Sequence, residues 1–180
     1  MTRSDYFAPI LDRGRLIARV AVERRNGQRI ILANGCFDLL HVGHIRYLEG
    51  AKSLGGYLVA AINSDDQVRA IKGGDRPYVS QDERAETISS IRCVDVVTIF
   101  PEPTVEELIR ALKPDFHAKG TDYTTETVPE REIVAEYGGR VAIVGDPKDH
   151  SSTELAELLK KAAEKDSLPR ECGIQNPNTT

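Results

Sequence analysis

Cysteine is scarce in this chain of 180 residues and offers no obvious cross-link. The three cysteines, Cys36, Cys93 and Cys172, are odd in number, and no two of them have Cys-x-x-Cys spacing. That pattern argues against both a disulfide framework and a zinc ribbon. We therefore expect all three thiols to be reduced.

Long apolar runs are missing as well. No stretch approaches the roughly 20 residues that a membrane-spanning helix requires. The first residues, Met1–Tyr6, lack the apolar core of a secretory signal. The sequence therefore predicts a cytoplasmic protein that does not enter a membrane.

Positive charge is not concentrated anywhere along the chain. The 24 Lys and Arg residues are outnumbered by 28 Asp and Glu residues, which gives a formal net charge of -4. Binding of nucleic acid usually requires a basic stripe or patch, and here the basic residues are scattered. Small molecules are therefore better candidate partners than nucleic acid.

The sequence does contain a regular alternation of short apolar runs and segments of helical period. This alternation is typical of βαβ units, and the length suits one domain with a full core. We predict an α/β fold, a single Rossmann-like doubly wound domain with a five-stranded, mostly parallel sheet. The strands are expected at residues 29–33, 57–63, 94–100, 115–118 and 140–144.

Helix starts are predicted where a Ser or Thr is followed three residues later by Glu, which is the capping-box pattern. The pattern occurs at Ser80, Thr104, Thr127 and Ser151. Each of these residues is expected to begin a helix that follows one of the predicted strands.

Both ends of the chain are expected to differ from the main domain at residues 29–163. A helix is predicted from Arg13 to Arg24, because Asn26-Gly27 is a typical stop signal. It would make residues 1–28 an N-terminal helical extension that packs on the sheet edge or on a partner subunit. Residues 164–180 are too poor in apolar side chains to repay ordering and are expected to form a flexible tail.

Residues 34–44 form the most distinctive segment, directly after the first predicted strand. Gly35 and Gly43 allow a tight turn and a close approach to a ligand. His41 and His44 lie at the start of a helix, where free N–H groups and the helix dipole favour an anion. On one helical face the two rings could donate to the same oxygens. The segment therefore predicts a polyphosphate site, with structural histidines, a zinc site or a Cys36 nucleophile as alternatives.

Other polar clusters follow the second, fourth and fifth predicted strands. Ligands of open α/β sheets bind beyond the carboxyl ends of the strands, so these clusters should converge. Ser151, Ser152 and Thr153 could form a second phosphate-binding helix start, or an ordinary N-cap. The glycine loop at residues 72–77 carries Lys72 and Arg76, which could close over an anionic substrate, and a solvated turn is its alternative.

One longer pattern resembles the signature of a known family. Gly-x-Phe-Asp-x-x-His-x-Gly-His is similar to the signature of the cytidylyltransferase-like nucleotidyltransferases, and the likeness extends over residues 13–160. Within the family it is most similar to the heptose 1-phosphate adenylyltransferases of lipopolysaccharide-precursor synthesis, in a form without the sugar kinase to which these are often fused. One departure is Ala156, which stands where the family's Ile-Ser-Ser-Thr-x-x-Arg element has Arg. The signature residues are Gly35, Phe37, Asp38, His41, Gly43 and His44.

The resemblance implies a role for each candidate residue of a nucleotidyltransferase domain at residues 29–163. His41, His44 and Lys72 would be catalytic. Asp65, Lys72 and Arg76 would bind the acceptor substrate, and no protein-built metal site is expected. Nucleotide binding is assigned to Asn34, Gly35, Cys36, Phe37, Asp38, Gly43, Lys119, Gly120, Asp122, Ser151, Ser152 and Thr153.

The expected reaction needs no catalytic base, and no Ser/His/Asp constellation is evident. A phosphate monoester, with a second pKa of about 6, is largely ionised at neutral pH and can attack directly. We expect ATP, with Mg²⁺ on its triphosphate, to react with a sugar 1-phosphate, releasing pyrophosphate. The alternatives are a CTP-dependent cytidylyltransferase acting on glycerol 3-phosphate or a related phosphoalcohol, and a non-catalytic nucleotide-binding domain. The resemblance also raises a homodimer as an option.

Overall fold

A five-stranded sheet forms the centre of the protein. The structure is a computed structural model, and it describes residues 7–146, 155–159 and 161. All pairings are parallel, in the spatial order β3-β2-β1-β4-β5, which confirms the predicted α/β fold. The strands are β1 (Ile30–Gly35), β2 (Tyr57–Asn63), β3 (Val96–Phe100), β4 (Phe116–Lys119) and β5 (Arg140–Ile143).

Helices cover both faces of this sheet. On one face α1, α5 and α6 pack against the strands, and on the other face α2 and α4 do so. Residues 155–159 are also helical. The named helices are α1 (Arg13–Arg25), α2 (Val42–Lys52), α3 (Asp65–Lys72), α4 (Gln81–Ser89), α5 (Glu106–Leu112) and α6 (Arg131–Glu136).

The strand order indicates where on the sheet a ligand would bind. From β1 the chain proceeds outward to β2 and β3, and it then returns to β4 and β5 on the other side of β1. The order therefore switches between β1 and β4, where ligands of open α/β sheets bind. Asn34 and Lys119 lie at the carboxyl ends of these two strands.

Two aspartates explain why two strands begin later than predicted. Asp95 accepts a hydrogen bond from the backbone N–H of Leu58 at 2.6 Å, and Asp115 accepts one from that of Ile30 at 2.7 Å. Each carboxylate thus pairs with a neighbouring strand at the point where that strand begins. β3 consequently starts at Val96 and β4 at Phe116.

The capping-box predictions have mixed outcomes. Ser80 and Glu83 form the predicted box at the start of α4. The box at Thr104 is wrong, because Glu107 pairs with Arg13 and α5 has no side-chain cap. The box at Thr127 is wrong, because Glu130 pairs with Lys119, and Ser151 lies outside the described residues.

The N-terminal helix belongs to the packed core. Leu16 and Val20 of α1 lie in the cluster that α5 and α6 share with the sheet, and Ile10 pairs with Val97 of the edge strand β3. α1 therefore covers the sheet from the same chain. The division of the chain at residues 28 and 163 stays a prediction, and the expected tail lies outside the described residues. None of the helices in the described ranges is long and apolar enough to cross a membrane.

Truncation of α1 at its buried face tests its place in the core. Leu16 is fully buried, whereas its neighbour Ile17 is 39% exposed. We expect Leu16→Ala to lower the free energy of unfolding by about 2–5 kcal/mol, because it leaves a cavity. Ile17→Ala is the matched control and should lower the free energy of unfolding by less than about 1 kcal/mol, as measured by urea unfolding. Equal losses would mean that α1 does not contribute to the core.

Candidate active site

The carboxyl ends of the strands open on a cavity of about 520 Å³. Most of the residues predicted from the sequence line it, so the clusters after the first and fourth strands converge, together with Asn63 from the cluster after the second. Asp65 does not line it, and Ser151, Ser152 and Thr153 lie outside the described residues. The predicted residues in the cavity wall are Asn34, Gly35, Cys36, Phe37, Asp38, His41, Gly43, His44, Lys72, Arg76, Lys119, Gly120 and Asp122.

The two signature histidines lie side by side at the start of α2. His41 is the N-cap residue, and its ring centroid is 3.9 Å from that of His44. The backbone N–H of His41 donates to Nδ1 of His44 at 3.3 Å, so the proton of a neutral His44 lies on Nε2. Burial, with the nearby charges of His41 and Lys72, lowers the pKa of His44 to about 4. At neutral pH His44 is therefore an uncharged N–H donor.

Gly35 and Phe37 shape the turn that leads to these histidines. A Cβ on Gly35 would lie 3.2 Å from the ring of Phe37, which is closer than an ordinary van der Waals contact. Phe37 itself has a φ of 49°, and its ring contacts His44 edge-on at 5.4 Å. The glycine therefore makes room for an aromatic ring that supports His44.

Asp38 and Arg76 join the glycine loop to the same turn. Oδ2 of Asp38 accepts a hydrogen bond from Arg76 at 2.5 Å, and Oδ1 accepts from the backbone N–H groups of Tyr78 and Val79 at 2.7 and 3.2 Å. The guanidinium of Arg76 also lies 4.2 Å from the centroid of the Tyr78 ring. The solvated-turn alternative is therefore wrong for this part of the loop, because Asp38 and Arg76 fix it to the cavity wall.

Lys72 differs from Arg76 in its surroundings. It lies at the end of α3, lines the cavity and is exposed. Its ammonium makes no hydrogen bond or ion pair with a residue that the structure describes. Lys72 is thus placed to contact a ligand.

Arg84 is a structural residue that the sequence analysis missed. Its side chain is 1% exposed and donates to the backbone carbonyls of Val79 at 3.0 Å, Asn63 at 2.9 Å and Cys36. It also pairs with Asp65 at 2.8 Å. The carboxylate of Asp65 thus faces Arg84 rather than the cavity, and its contact with the acceptor stays a prediction. The only signal in the sequence was the position of Arg84 four residues before Ile88, on the apolar face of α4.

A second buried network lies between β1 and β4. Nζ of Lys119 is 3.3 Å from the nearer carboxylate oxygen of Glu130, and both side chains are buried. Oδ1 of Asn34 is 3.3 Å from Nζ of Lys119 and 3.1 Å from Nε2 of His117. Burial, together with the charge of Lys119, lowers the pKa of His117 to about 3. From the sequence, Glu130 was predicted only as the capping-box partner of Thr127 and His117 was given no role, because their actual partners are distant in sequence.

Cys36 has the environment of a packed thiol. It lines the cavity but is half-buried, and burial raises the pKa of its thiol. The reactive form of cysteine is the thiolate, which a raised pKa disfavours. The structure thus favours packing over the nucleophile alternative.

The class of protein follows from comparison with known families. Residues 32–165 match the cytidylyltransferase-like family model. The chain belongs to this family, as its signature segment predicted, and it is a nucleotidyltransferase.

Individual relatives carry more specific names. The chain is 46% identical over 159 residues to the bifunctional protein HldE of Pelobacter propionicus, covering 88% of this chain and 33% of that protein. It is 49% identical over 150 residues to the HldE of Koribacter versatilis, covering 83% and 31%. The chain thus spans about a third of the length of these relatives. A crystal structure of the lipopolysaccharide core biosynthesis protein from Thermoplasma volcanium aligns with a TM-score of 0.58 and 26% identity, covering 68% of this chain and all of that one.

Removal of the buried guanidinium tests its structural role. Arg84→Met should lower the free energy of unfolding by about 3–5 kcal/mol, because Asp65 and three carbonyls lose their partner. The control is Arg69→Met, since Arg69 forms an exposed pair with Asp66 and its loss should cost about 0.5 kcal/mol or less. Urea unfolding of both variants measures these changes. Comparable decreases in the free energy of unfolding would refute a special role for Arg84.

The low pKa of His117 predicts a dependence of stability on pH. Its folded pKa of about 3 lies below the usual value of about 6.5 in an unfolded chain. Between these values the unfolded chain binds a proton that the folded chain does not, so stability falls as the pH is lowered, by on the order of 1 kcal/mol per pH unit. We expect His117→Leu to show a shallower decline from pH 6 to 4 in urea unfolding. Identical slopes for variant and wild type would contradict this origin.

Proposed function

We propose that this nucleotidyltransferase joins the nucleoside monophosphate of ATP to a sugar 1-phosphate, specifically a heptose 1-phosphate, and releases pyrophosphate. The observation that carries the proposal is the pair His41 and His44 at the start of α2, facing the same cavity as Lys72 and Lys119. The HldE relatives and the solved lipopolysaccharide core biosynthesis protein support a sugar-phosphate acceptor.

The chemical step needs positioning more than proton transfer. An ionised oxygen of the acceptor phosphate attacks the α-phosphorus of ATP and forms a new P–O bond. The bond from that phosphorus to the oxygen bridging to the β-phosphate breaks, and its electron pair leaves with pyrophosphate. The enzyme would align the two phosphates and offset the charge that develops on their oxygens.

Two kinds of group in the cavity would stabilise the phosphate oxygens: neutral N–H donors with fixed orientation, and positively charged side chains. His44, neutral and with its proton on Nε2, would donate to a phosphate oxygen together with the free N–H groups at the start of α2. Lys72 would bring a full positive charge, whereas Glu130 partly offsets that of Lys119. Ser151, Ser152 and Thr153 stay predicted as further phosphate contacts.

Mg²⁺ is proposed to enter with the triphosphate. It takes carboxylate oxygens, phosphate oxygens and water as ligands. Asp122 and Asp146 lie in the cavity wall, where Arg46 already pairs with Asp146, so these donors fit an ion that the phosphates and water mainly hold. Such an ion would neutralise part of the charge on the phosphates.

Two other functions are linked to particular observations. The description of the matched family, cytidylyltransferase-like, is compatible with CTP as the nucleotide, and the corresponding alternative is a cytidylyltransferase acting on glycerol 3-phosphate or a related phosphoalcohol. Ala156, which is buried and replaces the family's Arg, favours a domain that binds nucleotide without turnover. The cavity with both histidines and Lys72 argues for turnover.

Pyrophosphate release should distinguish these functions. ATP and CTP are each combined with heptose 1-phosphate and with glycerol 3-phosphate, in the presence of Mg²⁺. We expect turnover with ATP and the heptose alone. Turnover only with CTP and glycerol 3-phosphate would replace the proposal, and nucleotide binding without pyrophosphate in all four mixtures would favour the non-catalytic domain.

Two variants serve as controls for that assay. His41→Ala should lower kcat/KM by a factor on the order of 100 or more, because it removes a donor next to the reacting phosphates. Arg110→Ala removes an exposed ion pair with Glu136 away from the cavity and should behave like wild type. A His41→Ala enzyme within a factor of a few of wild type would refute the assigned phosphate site.

A further inference from the structure

His117 is a fully buried polar residue that lies next to the cavity without lining it. It sits on β4 opposite Leu32 of β1. Its sequence neighbour Ala118 belongs to the cluster on the other face of the sheet, so His117 faces the same side as Asn34 and Lys119. The proposed reaction assigns it no task.

The surroundings of Asn34 determine which atoms carry protons. Oδ1 of Asn34 lies within hydrogen-bond distance of both Nζ of Lys119 and Nε2 of His117. An ammonium group can only donate, so the Asn34 atom must be the carbonyl oxygen. Nε2 of His117 must then donate to the same oxygen. Nε2 of His117 therefore carries a proton. Burial lowers the pKa of the ring, so at neutral pH Nδ1 is unprotonated, and it has no hydrogen-bond partner among the described residues.

This arrangement leaves the amide NH₂ of Asn34 for another partner. Both donors hold Oδ1, and Nδ2 makes no hydrogen bond to any residue in the described part of the chain. Asn34 lines the cavity at the carboxyl end of β1, directly before the turn that leads to His41. With Lys119 and the start of α2 nearby, an acceptor oxygen is the group that this position favours.

We propose that His117 is a positioning residue which, together with Lys119, fixes the Asn34 side chain so that its NH₂ group donates to a phosphate oxygen of the bound substrate. The inference rests on the proposed function, since it takes this cavity to be the place of phosphate transfer. Without His117, Lys119 alone would hold Oδ1, and the Asn34 amide could rotate or turn away.

If His117 had only a structural role, its replacement would lower stability and activity together; a positioning role predicts a different result. An unpartnered Nδ1 in the core is unfavourable, and a leucine of similar size removes it. His117→Leu should therefore be at least as stable as wild type at pH 7 and yet less active. Stability and activity are expected to change in different directions, which a general loss of packing would not cause.

The test combines single and double variants with pyrophosphate release. His117→Leu should lower kcat/KM about three- to tenfold, the effect of one hydrogen bond. His117→Gln, which keeps an N–H donor, should recover most of that loss. In an Asn34→Ala background, His117→Leu should cause no further loss, because the residue acts through Asn34.

Nuclear magnetic resonance gives a readout that does not depend on turnover. In wild type, the His117 ring should carry its proton on Nε2, with Nδ1 unprotonated, from pH 5 to 8. The side-chain NH₂ signals of Asn34 should shift when ATP is added, and His117→Leu should reduce that shift. The inference would be overturned if the His117 ring carried its proton on Nδ1, or if the Asn34 NH₂ signals did not shift on addition of ATP. Both observations use wild type, so they hold even if His117→Leu fails to fold.

Failure of the inference differs from failure of the proposed function. If wild type releases pyrophosphate and His117→Leu matches it, or if the losses of His117→Leu and Asn34→Ala multiply independently, the inference is wrong and the function stands. If wild type shows no turnover with any substrate pair, the proposed function is wrong. The inference is then tested by the nuclear magnetic resonance signals of Asn34 and His117 in the presence of ATP alone.

Discussion

One buried charge, the guanidinium of Arg84, holds together the segments that form the candidate site. It donates to carbonyls of the turn after β1, of the end of β2 and of Val79, two residues before α4. It also pairs with Asp65 at the start of α3. A buried cation is costly unless its donors are paired. Arginine can meet this condition at several segments at once because its five N–H groups point in fixed directions, which the ammonium of lysine cannot reproduce.

The hydrogen bonds of Arg84 also fix the residues that follow the loop with Lys72 and Arg76. Arg84 binds the carbonyl of Val79, while Asp38 accepts hydrogen bonds from the N–H groups of Tyr78 and Val79. The residues after the loop are thus held from two sides, by groups of α4 and of the signature turn. The ion pair of Asp38 with Arg76 joins the loop to the signature turn, and the pair of Asp65 with Arg84 joins α3 to α4, the helices before and after the loop. The family signature therefore has a structural function in Asp38 besides the chemical one proposed for its histidines.

Residues whose partners are near in sequence could be predicted, and those with distant partners could not. The strands, the glycine turn and the convergence of His41, His44 and Lys119 followed from local patterns and from the rule for parallel sheets. Arg84 and Glu130 resembled ordinary helical charges, because their partners come from other segments. The same reason explains the wrong capping boxes, since Glu107 and Glu130 form ion pairs with residues elsewhere in the chain.

Burial leaves two neutral imidazoles at the site, His44 in the cavity wall and His117 directly behind it. His44 and His117 both have lowered pKa values, and each accepts or donates through a defined nitrogen. A neutral donor can stabilise charge on a phosphate oxygen without exchanging its own proton, so its orientation matters more than its charge. The backbone N–H of His41 orients His44, and in the proposed arrangement Asn34 extends the influence of His117 to the cavity wall. Among the cations of the cavity wall, Lys72 is exposed at the end of α3, and in the proposed reaction it would contact a bound phosphate. The site thus separates fixed dipoles from an exposed charge, an arrangement suited to a reaction in which negative charge shifts between phosphates.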